Sequence, residues 1–390
     1  MKLTWFTFLF LIASALSAQE SQKYRWARTT GRLPFLEYGP GDDRLGGAKM
    51  TYLDSLVLLK VVDSLNSDYI VQLSASHRAF IPKENVLWVN GKTNSPFSLS
   101  GNWKVYGDEK YDYVAINLQD KLPYKSMMQI SPSRIVVDIF GATSNTNWVT
   151  QLNTAREIQY TWYEQTEDDV LRVHIQLKHE QHWGHRLYYD TTGNRLIIRV
   201  KQQPTARDIR KLKIAIDAGH GGANTGAAGL NTKVLEKDYT LLIAKELEKQ
   251  FRKAGSKNIF MTRTTDTTLD MPDRILTLRE QDPDLLISVH LNSSSRDSIQ
   301  GTSTFYRYIG FRPFSQAILK RMLELNLKEY GNVGHFNFAL SGPTEYNNCL
   351  VEVAFLSNAE DERKIIDPRF HKSVAKKIID GTKDWLKNVK

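Results

Sequence analysis

The run Lys213-Ile-Ala-Ile-Asp-Ala-Gly-His-Gly-Gly222 constrains this chain more than any other segment. Ile214, Ala215 and Ile216 read as a short buried strand. Glycines at 219, 221 and 222 let the following turn bring backbone close to whatever His220, at its tip, holds. In open α/β sheets, functional groups gather beyond the carboxyl ends of the strands. An imidazole presented there suits a metal if other ligands reach the same edge; a lone histidine at a strand end is more often only hydrogen-bonded.

Three further residues meet that condition. Glu236 precedes an amphipathic helix in which Tyr239, Leu242, Ile243, Leu247 and Phe251 recur at helical spacing, with Gly255 as its stop. His290 ends the run Asp284 to Asn292, which is apolar without alternation, as expected of a central strand covered on both faces. Glu352 interrupts the apolar strand Cys349 to Phe355, where a carboxylate is costly to desolvate without a metal, a proton or a strong donor beside it. Two imidazoles and a carboxylate form a common catalytic zinc set that leaves one position open, and a second carboxylate can then move a proton. Each of the four has an ordinary structural explanation alone; together they explain one another through a metal.

These motifs make residues 211–390 resemble the zinc-dependent N-acetylmuramoyl-L-alanine amidases, hydrolases that separate the stem peptide from the sugar of peptidoglycan. The matching pieces are I-D-A-G-H-G-G with His220, L-E-K with Glu236 and L-I-S-V-H-L-N with His290. R-T-T-D from Arg263 to Asp266, Arg274, and L-V-E-V-A-F-L-S-N from Leu350 to Asn358 complete the set. The resemblance implies that His220, Glu236 and His290 hold zinc and that Glu352 is the catalytic carboxylate. It also implies that zinc-activated water cleaves the amide between the N-acetylmuramic acid lactyl group and L-alanine. Asp217 and Asn292 are expected either to orient an imidazole or a substrate group or to cap a turn, and Arg274 to support the site or contact substrate. His335 reads as a strand residue, and His179, His182 and His185 as a solvated loop.

The expected architecture is multidomain: a C-terminal α/β domain with a mostly parallel central sheet flanked by helices, preceded by β-rich modules. Residues 1–18 read as a secretory signal, with Lys2 followed by an apolar run too short for a comfortable membrane span. Residues 25–95 are β-rich and loosely resemble a small barrel, through Tyr69 to Leu73 and Arg78 to Pro82. In 98–203, strands are expected at Tyr111 to Leu118 and Arg134 to Phe140. Leu171, Val173, Ile175 and Leu177 alternate with polar residues, and Asp190 to Asn194 reads as a hairpin turn. With Pro132 to Ala142 as its most characteristic piece, this region resembles the AMIN family of β-sandwich modules that precede amidases and bind peptidoglycan. Residues 204–210 are expected to be the linker.

A net charge of +9 spread along the chain, without a dense basic patch or reader motif, argues against nucleic acid and suits an acidic envelope polymer. The sole cysteine, Cys349, excludes an internal disulfide. The expected setting is the periplasm, with no integral membrane span, peptidoglycan as substrate, and an envelope or divisome activator as a further partner. The alternatives are a non-catalytic envelope-binding protein and a zinc peptidase acting on another cell-wall bond. Gly301 to Tyr308 leads directly into an amphipathic segment reaching about Tyr330, with Phe314, Ile318, Met322 and Leu325 at helical spacing. It reads as a helix packed on the sheet, not a plug over the zinc site. An open cleft in the isolated 209–390 piece, active without an activator, is therefore expected unless the N-terminal modules occlude it.

Overall fold

The computed structural model describes residues 24–41, 46–90 and 98–389. The expected signal at 1–18 lies outside them.

The C-terminal unit is built on a six-stranded sheet. Its strands are β1 (Ile214–Ala218), β2 (Ile259–Met261), β3 (Leu285–Asn292), β4 (Thr302–Tyr306), β5 (Glu329–Gly334) and β6 (Asn347–Phe355), in the order β2-β1-β3-β6-β4-β5. All neighbours are parallel except β4 and β6. The helices are α1 (Glu236–Lys253), α2 (Met271–Gln281), α3 (Arg312–Met322), α4 (Ala359–Ile365) and α5 (Pro368–Asn388).

Alternation along the strands assigns the two faces. Leu285, Ile287, Val289 and Leu291 of β3, with Cys349, Val351 and Val353 of β6, pack with Ile243 and Leu247 of α1, Phe314 and Ile318 of α3 and Ile378 of α5. On the opposite face, Leu286 and Ala215 form a smaller cluster with Ile275 and Leu278 of α2, Leu340, Tyr346 and Leu33 of the N-terminal module. The central strands are therefore covered on both sides, which is why their sequences lack alternation. Leu242 departs from the expected helix face: it is 49% exposed, pointing away from the sheet that Ile243 and Leu247 meet. The segment after β4 is α-helical to Met322 and continues as a 3-10 turn over Leu323–Leu325, and Tyr330 belongs to β5. His335 lies one residue beyond β5 at φ 59°, a left-handed conformation that ends the strand, so it is not a strand residue.

Residues 98–201 form two antiparallel-rich sheets. One, from Tyr124–Ile130, Ser133–Phe140, Ile158–Glu167 and Val170–Leu177, is wholly antiparallel. The other includes Ser98–Gly107, Tyr111–Leu118, His185–Tyr189 and Arg195–Lys201. Trp103, Val114, Ile116, Val137, Val173 and Ile198 fill the space between them. The polar face expected of 170–177 is not free: His174 stacks flat on Trp162 with ring centres 4.6 Å apart, and Gln176 is buried. Residues 25–88 form a seven-stranded antiparallel sheet whose core residues Ala27, Leu59 and Ile81 join the same cluster.

The segment Gln181 to Arg186 is a seam. His182 and His185 are each 1% exposed, so the reading of a solvated loop is wrong for these two, while His179 is half-exposed and pairs with Glu157 at 2.7 Å. The His182 imidazole donates to the carbonyl of Gln129 at 2.7 Å, and His185 pairs with Ser126 Oγ at 2.8 Å. Gln181 donates to the carbonyl of Gly310 at 2.8 Å, and Trp183 packs into the C-terminal core 5.1 Å from the Trp385 ring. Aperiodic sequence here reflects docking onto a second domain. The expected linker is likewise anchored: Ile209 is buried in the C-terminal core, and Ser256 donates to its carbonyl at 3.0 Å. Among the described residues, no helix is long and apolar enough to cross a membrane.

Candidate metal centre and cleft

His220 is carried past the end of β1 in the left-handed region, at φ 61°, with Gly221 and Gly222 also at positive φ. A bulky residue adopts this backbone only when its surroundings hold it. Two buried arginines do so. Arg274 donates to the carbonyls of Ala218, at 3.0 Å, and His220; Arg263 donates to those of Ala218 and Gly219 at 2.9 and 2.8 Å. Arg274 is in turn paired with Asp217 at 2.5 Å, and the same carboxylate accepts from Thr262 and Ser288, each at 2.6 Å. Burial is the largest influence and works against ionised Asp217, but the Arg274 guanidinium and the hydrogen bonds from Ser288 and Thr262 together outweigh it and hold the carboxyl below its usual range. Asp217 and Arg274 therefore hold the turn and, at 1% and 2% exposure, do not line the cleft.

Glu236, the first residue of α1, turns back toward β1 and β3. Its Oε2 accepts from the Ala227 amide at 2.8 Å and its Oε1 from the Leu291 amide at 3.0 Å. His220 Nε2 lies 3.0 Å and His290 Nδ1 3.2 Å from Oε1, and one ligand atom from each of the three residues lies within 4.8 Å of the others. Two ligands about 2.0–2.1 Å from one tetrahedral ion stand roughly 3.3 Å apart, so a zinc-sized ion fits this donor set. His220 Nδ1 faces Asn224 Oδ1 at 2.9 Å, which leaves Nε2 with its lone pair toward the other two. Space is set closely as well: a Cβ on Gly219 would stand 2.4 Å from His290 Cε1.

Glu352 joins them through strand register. On parallel β3 and β6, His290 pairs with Glu352, so both side chains leave the same face. His220, Glu236, His290, Asn292 and Glu352 all line one cleft of about 770 Å³. Asn292 Oδ1 accepts from the Ser293 amide at 2.8 Å, so this residue also shapes the loop after β3. Asn224, Thr262, Arg263 and Ser288 were not singled out as site residues from sequence. The R-T-T-D match did mark the segment containing Arg263, but carried no statement of its role.

Residues 214–384 match the family model described as N-acetylmuramoyl-L-alanine amidase, and 102–200 match that of the AMIN domain. The C-terminal unit belongs to the amidase family. The chain is 27% identical over 223 residues to N-acetylmuramoyl-L-alanine amidase AmiC of Escherichia coli, spanning 45% of this chain and 53% of that protein. It is 30% identical over 175 residues to the probable cell wall amidase LytH of Staphylococcus aureus, spanning 44% and 58%. The catalytic domain of the amidase CwlV from Bacillus (Paenibacillus) polymyxa matches with 30% identity and a TM-score of 0.43, covering 45% of this chain and 97% of that one. This chain thus spans little more than half the length of the curated relatives, and its amidase domain is preceded by an AMIN domain.

Proposed function

We propose that the chain hydrolyses the amide joining the lactyl group of N-acetylmuramic acid to L-alanine in peptidoglycan, with zinc held by His220, Glu236 and His290. The observation that carries this reading is the convergence of those three ligand atoms in one cleft with Glu352, inside an amidase-family domain. When bound, zinc supplies Lewis acidity toward a carbonyl and toward water. The chain's own groups do the rest. Glu352 takes the proton of the attacking water and returns it to the departing nitrogen. Asn224 fixes the His220 tautomer, and the amides of Ala227 and Leu291 fix Glu236. The AMIN domain supports a role in holding the enzyme on the wall, in a periplasmic setting after export. Packing of α3 on the sheet face opposite the cleft supports turnover without an activator.

Digestion of purified peptidoglycan, followed by mass spectrometry of the new ends, tests the bond. Free amino-terminal L-alanine is expected; sugar reducing ends or new D-alanine carboxyls would refute it. Glu352→Gln should lower hydrolysis at least ~100-fold with zinc content intact. Unchanged hydrolysis would remove Glu352 from its role.

A further inference from the structure

The cleft is not made by the amidase domain alone. Leu33, Phe35, Lys49 and Tyr52 of the N-terminal β module line it together with His220, His290 and Glu352. Leu33 is also part of the cluster that covers the second face of the C-terminal sheet. The strand Lys49–Tyr52 is bolted to the loop after β5. The Lys49 amide donates to Asn337 Oδ1 at 3.1 Å, Asn337 donates to the Gly47 carbonyl at 2.8 Å, and Arg307 donates to the Lys49 carbonyl. Phe338 of that same loop lines the cleft, and its ring lies nearly parallel to that of His290 at 6.4 Å.

Charge singles out one residue of this wall. Among the described residues lining the cleft, Lys49 is the one lysine or arginine; the carboxylates are Glu236 and Glu352, which the proposed chemistry already uses. The Lys49 ammonium sits 4.3 Å from the centre of the Phe35 ring and 3.4 Å from Glu37 Oε1. That second distance is long for a charge-assisted hydrogen bond, which runs about 2.7–2.9 Å. Lys49 and the buried Glu37 nonetheless form an ion pair, so an entering anion would share the cation with that carboxylate. A negative group entering an otherwise largely apolar cleft would meet the Lys49 ammonium.

We infer that the N-terminal β module is part of the substrate site and that Lys49 is a specificity-determining residue, pairing with a free carboxylate of the stem peptide while the amide lies at the metal centre. This rests on the amidase reading above. It assigns this module substrate selection, beside the retention on the wall proposed for the AMIN domain.

The test uses the full chain loaded with zinc and carrying Glu352→Gln to stop turnover. Two soluble muropeptides are compared by calorimetry, identical except that the carboxylate of the second stem residue left outside the peptide bonds is free in one and amidated in the other. The free acid should bind roughly tenfold tighter or better, the scale of one hydrogen bond to a charged group. Lys49→Ala on this background should abolish the preference by weakening the free acid alone, and Lys49→Arg should keep it. Equal weakening of both ligands would make Lys49 a prop for the 334–341 loop and overturn the proposal, as would affinities that Lys49→Ala leaves unchanged. Cleavage by the protein with Glu352 intact is followed separately, so a failed amidase reading registers there while the affinity comparison still decides the role of Lys49.

Discussion

Replacing Arg274 by methionine should damage the fold and the metal centre together, by an amount the contacts allow to be stated. The guanidinium is buried and donates to Asp217, to the Ala218 carbonyl and to the His220 carbonyl. Methionine keeps much of the volume and removes every donor. Asp217 then remains buried as an anion with Thr262 and Ser288 as its other side-chain donors. Breaking one side of a buried ion pair costs about 3–5 kcal/mol. For a unit of this size each kcal/mol shifts melting by about 2–4 °C, so a fall on the order of 10 °C is expected. Because the same arginine holds the backbone of His220 in its left-handed conformation, zinc affinity should drop about 10–100-fold. Calorimetry of the metal-free protein and a chelator competition titration measure the two effects independently. Adding Asp217→Asn should recover part of the stability, since no uncompensated charge remains, giving a coupling of about 0.5–3 kcal/mol. A single variant that melts within about 2 °C of the parent and binds zinc normally would refute the clamp.

Gly219→Ala should displace His290, because the new methyl would lie 2.4 Å from its Cε1; bound zinc per chain measured by atomic absorption should fall sharply. Trp183→Ala should cost about 3–5 kcal/mol and expose the seam to limited proteolysis, since Trp183 packs against Trp385 within the C-terminal core. Burial pushes His182 down to about 4 and His185 down to about 3, with His182 adding repulsion to the latter, so both are neutral in the fold. Their stabilising contribution is present above the unfolded value near 6.5 and drains as pH falls toward 4 and then 3, by roughly 3 kcal/mol for each histidine down to pH 4. Urea titrations at pH 7 and 4.5 should show this loss, and a His182→Gln, His185→Gln protein should lack most of it.

The sequence made the C-terminal sheet legible because β1, β3 and β6 carry unbroken apolar runs, and a polar residue inside such a run stands out. His220, His290 and Glu352 were visible for that reason, and Glu236 through the helix it begins. Thr262, Ser288 and Asn224 were not, because short polar side chains near strand ends usually cap turns, and only the fold shows which carboxylate or imidazole they meet. The seam histidines were misread because segments that dock on another domain have neither strand nor helix periodicity. Lys49 was out of reach for a simpler reason. It stands 171 residues before His220, and only the packing of one domain on another brings both to a single cleft.

Trp183 lies within the residues that match the AMIN domain, yet its side chain belongs to the hydrophobic core of the amidase domain. A fusion partner chosen for its own fold would leave a vacancy the size of an indole beside Trp385 and Phe314. The two modules of this chain are therefore not exchangeable cassettes. A smaller side chain at position 183 would leave Trp385 without its ring partner, so the packing unit of this chain is larger than either of the domains into which it can be parsed.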